Sequence, residues 1–303
     1  MSETTLIKDC TIVNEGVVKE SDLLIKNGRI EKIASGLSTD GITIDGSGLH
    51  LLPGVIDDQV HFREPGLTDR GNIKSESLAA IAGGTTSFMD MPNVLPPTLT
   101  NDLWLEKINI ASRHASANFS FYMGSSNENI DEIRAINPLE VCGLKVFMGA
   151  STGNLLVDNQ ESLDSIFREA PVIITTHCED TPMIKAKEQE YIDKYGNDIP
   201  IEAHAEIRSR EACYKSSKKA VDLATKFNSN LHILHISTKE ELDLFSTIPL
   251  ENKKITAEVC VPHLFFSSED YLTKGTLIKC NPSIKHIEDQ LALKAALKSG
   301  LID

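Results

Sequence analysis

The first fifty residues alternate apolar and polar positions in short segments that are separated by glycine and Asn-Gly turns. The segments are TLIKDCTIV, SDLLIKNGRIEKIAS and ITIDGSGLHLL. A period of two is typical of strands with one buried face, and an Asn-Gly pair between two such runs is a strong hairpin signal. The pattern predicts a small β-sandwich-like domain over residues 1–52, with a hairpin at KNGRIEKI.

From residue 53 onward, short apolar segments alternate with helical stretches. Seven segments are predicted as strands: GVIDDQVHF, GTTSFMDM, NFSFYMG, GLKVFMG, PVIITTHC, NLHILHIS and KITAEVCVP. Helices are predicted at 73–82, 101–113, 159–169, 203–227, 238–246 and 286–300. This alternation indicates a parallel sheet. We predict an α/β fold, a (β/α)8 TIM-type barrel over residues 53–303 that is truncated before its eighth strand.

Composition and charge exclude several classes of function. The net charge is −14 and no run is rich in Lys or Arg, which argues against binding nucleic acid. No apolar run reaches the ~20 residues that span a bilayer, and MSETTLIKDC lacks the pattern of a signal peptide. The six cysteines are scattered without a C-x-x-C pair, as is typical of reduced thiols. We expect a cytoplasmic protein with small-molecule or protein partners and no membrane contact.

Residues suited to chemistry cluster where the predicted strands end, which is the catalytic edge of a barrel of this type. Strand alternation places Asp57, Gln59, His61 and Arg63 on one face of the first strand, and Asp58 on the other. His61 therefore lies close to the edge where an active site is expected.

Three further strands each contribute a candidate. His177 ends its strand while Cys178 points away, and His235 lies nearer the strand end than His232, which we assign to packing. Lys145 lies in an apolar strand, where a buried ammonium is costly unless it is paired or chemically changed. The three histidines and the lysine predict an open, catalytic zinc site, although each alone has a structural alternative. The other histidines are assigned structural, capping or solvated positions: His50, His114, His204, His263 and His286.

The chain resembles the cyclic-amide branch of the amidohydrolase superfamily, and within it the dihydroorotases. The resemblance covers essentially the whole chain. The motifs that carry it occur in the family's order: LLPGVIDDQVHFREPG, AGGTTSFMDMPN, GLKVFMGAST, HCED, LHILHIST, AEVCVPHLFF and IKCNPSIK. Seven ordered motifs make the resemblance specific.

The resemblance implies a zinc centre of one or two ions. It implies His61, His177 and His235 as metal ligands, and Lys145 as the bridging ligand after carbamylation by CO2. The implied reaction is the reversible hydrolysis of the cyclic amide of dihydroorotate to carbamoyl aspartate, a step of pyrimidine biosynthesis.

The resemblance also implies that Arg63, Asn93 and Asn281 bind substrate. A guanidinium suits a carboxylate, and dihydroorotate carries one. Structural alternatives remain open at this point: Arg63 pairs with Glu64 or Asp69, and the two asparagines serve turns.

The chain departs from the family pattern in two ways. Gln59 replaces the first histidine of the H-x-H pair, and a neutral amide is a weaker zinc ligand than imidazole. The eighth-strand aspartate, the family's general base, is expected beyond residue 303, so we assign no general base within the chain.

Three hypotheses follow. The first is a dihydroorotase, and the second is a hydantoinase, dihydropyrimidinase or allantoinase type of enzyme. The third is a non-catalytic dihydroorotase-like subunit that associates with a partner such as aspartate transcarbamoylase. Unpaired sheet edges favour a homodimer or coverage by a partner.

Overall fold

The computed structural model describes residues 3–149 and 153–303. Residues 150–152, which end the GLKVFMGAST motif, lie outside the described residues, as do residues 1 and 2 of the predicted first domain. Contacts divide the chain into two compact units, one of Met1–Ile56 with Gly84–Thr86 and one of Asp57–Gly83 with Ser87–Asp303.

The first unit contains a five-stranded mixed sheet. Its strands are β1 (Thr4–Asn14), β2 (Val17–Lys26), β3 (Arg29–Ala34), β4 (Ile42–Asp45) and β5 (His50–Leu51). The order is β3-β2-β1-β4, and β5 also pairs with β1. Asn27 and Gly28 turn the chain between β2 and β3 with φ of 52° and 74°, as the Asn-Gly signal requires. The predicted hairpin is confirmed.

All seven segments predicted as barrel strands form strands. They are β6 (Val55–Val60), β7 (Thr85–Asp90), β8 (Asn118–Phe121) continued by β9 (Met123–Gly124), β10 (Leu144–Phe147), β11 (Ile174–His177), β12 (Leu231–Ile233) and β13 (Ile255–Ala257). Neighbours follow chain order, β6-β7-β8 in one sheet and β9 to β13 in the other, and β7 and β8 pair in parallel, as do β9 to β13. The predicted TIM-type α/β architecture is confirmed.

Helices follow most of the strands. They are α1 (Ile73–Ala82), α2 (Asn101–His114), α3 (Ile130–Arg134), α4 (Gln160–Glu169), α5 (Thr181–Tyr195), α6 (His204–Ile207), α7 (Arg210–Phe227), α8 (Val261–Phe265), α9 (Tyr271–Lys274) and α10 (Ile287–Ser299). No helix among the described residues is both long and apolar enough to cross a membrane.

Two helix predictions are wrong in detail. The stretch 203–227 is two helices, because Arg208 leaves the helical region and the Ser209 hydroxyl caps α7 by accepting from the Ala212 N–H at 3.3 Å. The stretch 238–246 is a short 3₁₀ helix, Glu240–Leu244. Its start is held by the Glu241 carboxylate, which accepts from the N–H groups of Ser237 and Thr238.

The core of the second unit fixes the strands that carry the candidate site. Phe88, Phe121, Val146, Ile174 and Ile233 belong to one apolar cluster and are each at most 1% exposed. Interiors of this kind are close-packed and deform little. Side chains at the strand ends therefore start from well-defined backbone positions.

Candidate active site

His61 follows the end of β6 and lies beside Asn93. Its Nδ1 is 2.8 Å from Oδ1 of Asn93. An amide oxygen only accepts, so Nδ1 carries the proton and Nε2 presents a lone pair. Burial, together with the positive charges of Arg63 and Lys145, lowers the pKa of His61 to about 3. The imidazole is therefore neutral and able to act as a ligand or acceptor.

His177 and His235 point ring nitrogens at each other. Nδ1 of His177 and Nε2 of His235 are 3.1 Å apart, and both side chains are buried. Two nitrogens bound to one tetrahedral zinc at ~2.0–2.1 Å lie about 3.3 Å apart. His235 adopts a φ of 41°, which is uncommon for a residue with a side chain. The pair has the spacing that a shared metal ion requires.

The other nitrogen of His177 is held by a carboxylate. Nε2 lies 2.8 Å from Oε2 of Glu179, and the guanidinium of Arg208 donates to the same oxygen. Nε2 is thus the protonated nitrogen, and the Nδ1 lone pair faces His235. Carboxylate-to-histidine contacts of this kind orient metal ligands. Sequence reasoning missed Glu179, although the acid two residues after the histidine in HCED was a usable signal.

Lys145 in β10 is 1% exposed. Within residues 3–149 and 153–303, Nζ makes no hydrogen bond or ion pair, and it lies 4.8 Å from the centre of the Phe147 ring. Burial lowers the pKa of Lys145 to about 7. About half of the amine is then neutral near pH 7, and only a neutral amine can add to CO2.

His235 is buried among other titratable side chains. Burial lowers the pKa of His235 well below its usual value, and the charges of His177, Lys145 and His61 lower it further. Nδ1 of His235 is buried and has no hydrogen-bond partner among the described residues. An unsatisfied buried nitrogen in a cluster of imidazoles indicates a group that accepts a further ligand or solvent molecule.

Arg63 is a half-buried guanidinium without a carboxylate partner in the described part of the chain. Glu64 instead accepts from the Ile73 N–H at 2.8 Å, so the proposed pairing of Arg63 with Glu64 or Asp69 is wrong. Burial lowers the pKa of Arg63, and the Arg70 charge adds to this effect. An unpaired cation beside His61 can bind an anionic group.

Gln59 and Asn281 are less closely tied to the cluster. Oε1 of Gln59 lies 4.0 Å from Sγ of Cys260. Asn281 lines a surface cavity of about 290 Å³ together with His204 and Arg208. His204, predicted to be solvated or capping, is buried instead, with Nε2 2.9 Å from the Cys280 carbonyl oxygen.

His232 is not a simple packing residue, so that prediction is wrong. Its Nε2 is 3.4 Å from Oε2 of Glu258 and 3.8 Å from Oδ2 of Asp58. The three ligand atoms lie within 4.8 Å of one another, and they form a second group able to hold a metal ion. Sequence reasoning missed both acids because one was assigned to the opposite strand face and the other follows a very short strand.

Comparison with known proteins finds enzymes that are similar to this chain in sequence and fold. No family model matches the chain. The chain is 31% identical over 309 residues to the dihydroorotase of Methanosarcina acetivorans, covering 98% of this chain and 65% of that protein. It is 29% identical to the allantoinase of Bacillus velezensis, covering 100% and 68%. The solved L-hydantoinase (dihydropyrimidinase) of Arthrobacter aurescens superposes with a TM-score of 0.92 at 27% identity, covering 100% and 68%.

The chain is similar to enzymes named dihydroorotase, allantoinase and L-hydantoinase. It spans 65% to 68% of the length of these three relatives. These dihydroorotase, allantoinase and L-hydantoinase enzymes match the chain at similar sequence identities, 27% to 31%. The similarity therefore supports hydrolysis of a cyclic amide and leaves the ring unspecified.

Proposed function

We propose that this protein is a zinc-dependent dihydroorotase. The observation that carries the substrate choice is the unpaired guanidinium of Arg63 beside the hydrogen-bonded pair of His61 and Asn93. Dihydroorotate has a ring carboxylate, which a guanidinium binds with two parallel hydrogen bonds. Hydantoin and allantoin have no ring carboxylate.

We propose that His177 and His235, with Lys145 carbamylated, hold zinc, and that His61 contributes through Nε2. The facing nitrogens of His177 and His235, 3.1 Å apart, fit such a group. Carbamylation would replace a buried cation by an anionic oxygen donor, and bound zinc would compensate the burial of that negative charge. When bound, zinc supplies Lewis-acid polarisation of the ring amide and activates water.

The side chains then bind and orient the substrate. Arg63 holds the carboxylate, and Asn93 fixes the proton of His61 on Nδ1, so that Nε2 remains an acceptor. Glu179 keeps the Nδ1 lone pair of His177 directed at His235. In the hydrolysis a water oxygen bonds to the amide carbon, the ring C–N bond breaks, and the nitrogen takes up the proton. The eighth-strand aspartate remains the predicted general base.

A second candidate is hydrolysis of a neutral ring. The similarity to an allantoinase and to an L-hydantoinase favours it. A non-catalytic scaffold subunit would also tolerate Gln59 in place of the histidine. A homodimer and an association with aspartate transcarbamoylase stay predictions.

Substrate binding by Arg63→Ala separates the two enzyme proposals. In zinc- and bicarbonate-loaded protein, calorimetry with dihydroorotate should show Kd raised about 10–100-fold, because a charge-assisted pair contributes ~1.5–3 kcal/mol. Kd for dihydrouracil, the ring without the carboxylate, should not change. Arg70→Ala, at an exposed neighbouring arginine, is the matched control.

Turnover completes the test. A form of the protein that includes the predicted eighth-strand aspartate should hydrolyse dihydroorotate faster than hydantoin or allantoin. Two results would contradict a dihydroorotase and favour the second candidate. One is that Arg63→Ala weakens the binding of dihydroorotate and dihydrouracil equally, and the other is that only the neutral rings are hydrolysed.

A further inference from the structure

We infer that Asp58, His232 and Glu258 form a second divalent-cation site, separate from the one assigned to His177 and His235. Nε2 of His232 lies 3.4 Å from Oε2 of Glu258 and 3.8 Å from Oδ2 of Asp58, and all three ligand atoms lie within 4.8 Å of one another. Ligands of one zinc or manganese ion lie roughly 3–3.4 Å apart at metal distances of ~2.1 Å. A small closure brings the three onto one ion.

The hydrogen bonds around His232 fix which nitrogen faces the acids. The Thr256 hydroxyl donates its only proton to the Leu231 carbonyl oxygen at 3.3 Å. It must therefore accept from Nδ1–H of His232, which is 2.8 Å away. A neutral ring then has its lone pair on Nε2. Burial, together with the charge and the hydrogen bond of Glu258, raises the pKa of Asp58 to about 7, so these two carboxyl groups share a proton near neutral pH. A divalent cation bound by the three side chains would displace that proton.

A cation resolves this arrangement better than hydrogen bonds do. The separations of 3.4 Å and 3.8 Å are longer than the 2.7–2.9 Å of a good charged hydrogen bond, so a protonated ring would be held only weakly. One imidazole with two carboxylates is a donor set that suits zinc or manganese. The Asp58 side chain is 47% exposed, which gives an ion a path from solvent.

The second site also touches the first through the backbone. The other oxygen of Glu258, Oε1, accepts from the His235 N–H at 3.2 Å. His235 is the residue with a φ of 41°. A cation on Glu258 would therefore steady the turn that directs the His235 ring. This role does not depend on which cyclic amide is hydrolysed.

Manganese binding to Asp58→Asn tests the site. Asparagine has the shape of aspartate but removes one anionic ligand. In the full chain, the affinity of this site for Mn²⁺ should fall by at least about 10–100-fold. That is the loss seen when a residue that only supports a metal ligand is removed, and Asp58 is proposed as a ligand itself. Equilibrium dialysis with elemental analysis measures stoichiometry and Kd. Asp57→Asn, the neighbouring carboxylate outside the cluster, should bind Mn²⁺ as wild type does.

Two further variants keep the outcomes distinct. His177→Asn should lose the proposed zinc of the first site and keep the Mn²⁺ site, so the two proposals fail independently. A Mn²⁺-dependent rise in Tm should be present in wild type and absent from Asp58→Asn, and His232→Gln should repeat that result. Unchanged Mn²⁺ affinity and Tm response in both Asp58→Asn and His232→Gln would overturn the second site.

Discussion

Lys107 and Lys145 are each 1% exposed, and they have opposite surroundings. Lys107 is 2.7 Å from Oδ2 of Asp90 and donates to the Met91 carbonyl oxygen at 2.7 Å. Lys145 has no ion pair or hydrogen bond among the described residues. Both ammonium groups lie 4.8 Å from an aromatic ring centre, Phe121 and Phe147 respectively. Both lysines have the same distance to an aromatic ring, so the Asp90 carboxylate beside Lys107 is what distinguishes their surroundings.

The comparison separates a structural lysine from a reactive one. Asp90 also accepts from the Phe62 N–H at 2.9 Å, so the pair with Lys107 holds the chain beside His61. Burial lowers the pKa of Lys107 as well, but the charge and the hydrogen bond of Asp90 oppose that shift. A buried amine without a carboxylate loses its proton near neutral pH and becomes a nucleophile. Burial alone, which sequence patterns indicate, does not distinguish the two.

The largest expected effect is on Lys145. Lys145→Met should abolish retention of zinc at the first site and lower kcat/KM by a thousandfold or more, because metal activation supplies several kcal/mol, at 1.36 kcal/mol per factor of ten. Its free energy of unfolding should equal or exceed that of wild type, since an unpaired charge is removed. Elemental analysis, kinetics and urea unfolding measure the three quantities. Retained zinc and activity would end the assignment of Lys145.

Lys107→Met should show the reverse pattern. It leaves Asp90 buried without its cation, which costs about 3–5 kcal/mol of unfolding free energy. The metal ligands are untouched, so zinc per folded chain should stay as in wild type. Urea unfolding followed by circular dichroism gives the first quantity and elemental analysis the second. A variant as stable as wild type would mean that the pair is not structural.

The sequence predicted the strands well because each has a clear apolar period bounded by turn residues. It also predicts that His61, Lys145, His177 and His235 lie at one edge, since the ends of parallel strands meet there; of these, His177 and His235 are in direct contact. It failed at one local helix cap and where contacts join residues far apart in sequence. Helix 203–227 broke at a cap, and His232 faces acids contributed by two other strand segments. Neither Glu258 nor Asp58 carries a local signal for that contact.

A smaller effect is expected on the pH dependence of the unfolding free energy, which tests whether Lys145 is a buried amine without a carboxylate partner. In metal-free protein and CO2-free buffer, the folded-state pKa of Lys145 lies at about 7, below the usual 10.5. Between these values the unfolded chain binds a proton that the folded chain does not, so the unfolding free energy rises with pH. From pH 7 to 9 wild type should gain up to about 2–3 kcal/mol relative to Lys145→Met. Parallel stability curves for the two proteins would contradict the lowered pKa.

The smallest expected effect comes from removing both charges of the structural pair. The double variant Lys107→Met and Asp90→Asn keeps Oδ1 as an acceptor for the Phe62 N–H but leaves no buried charge uncompensated. Replacing a whole buried ion pair is often nearly neutral, so the double variant should lie within about 1–2 kcal/mol of wild type and above Lys107→Met. Urea unfolding of wild type, the single variants Lys107→Met and Asp90→Asn, and the double variant forms a double-mutant cycle. If the losses of unfolding free energy in the two single variants add up to the loss in the double variant, the cost of Lys107→Met arises from lost packing. The ion pair would then no longer explain why Lys107 differs from Lys145.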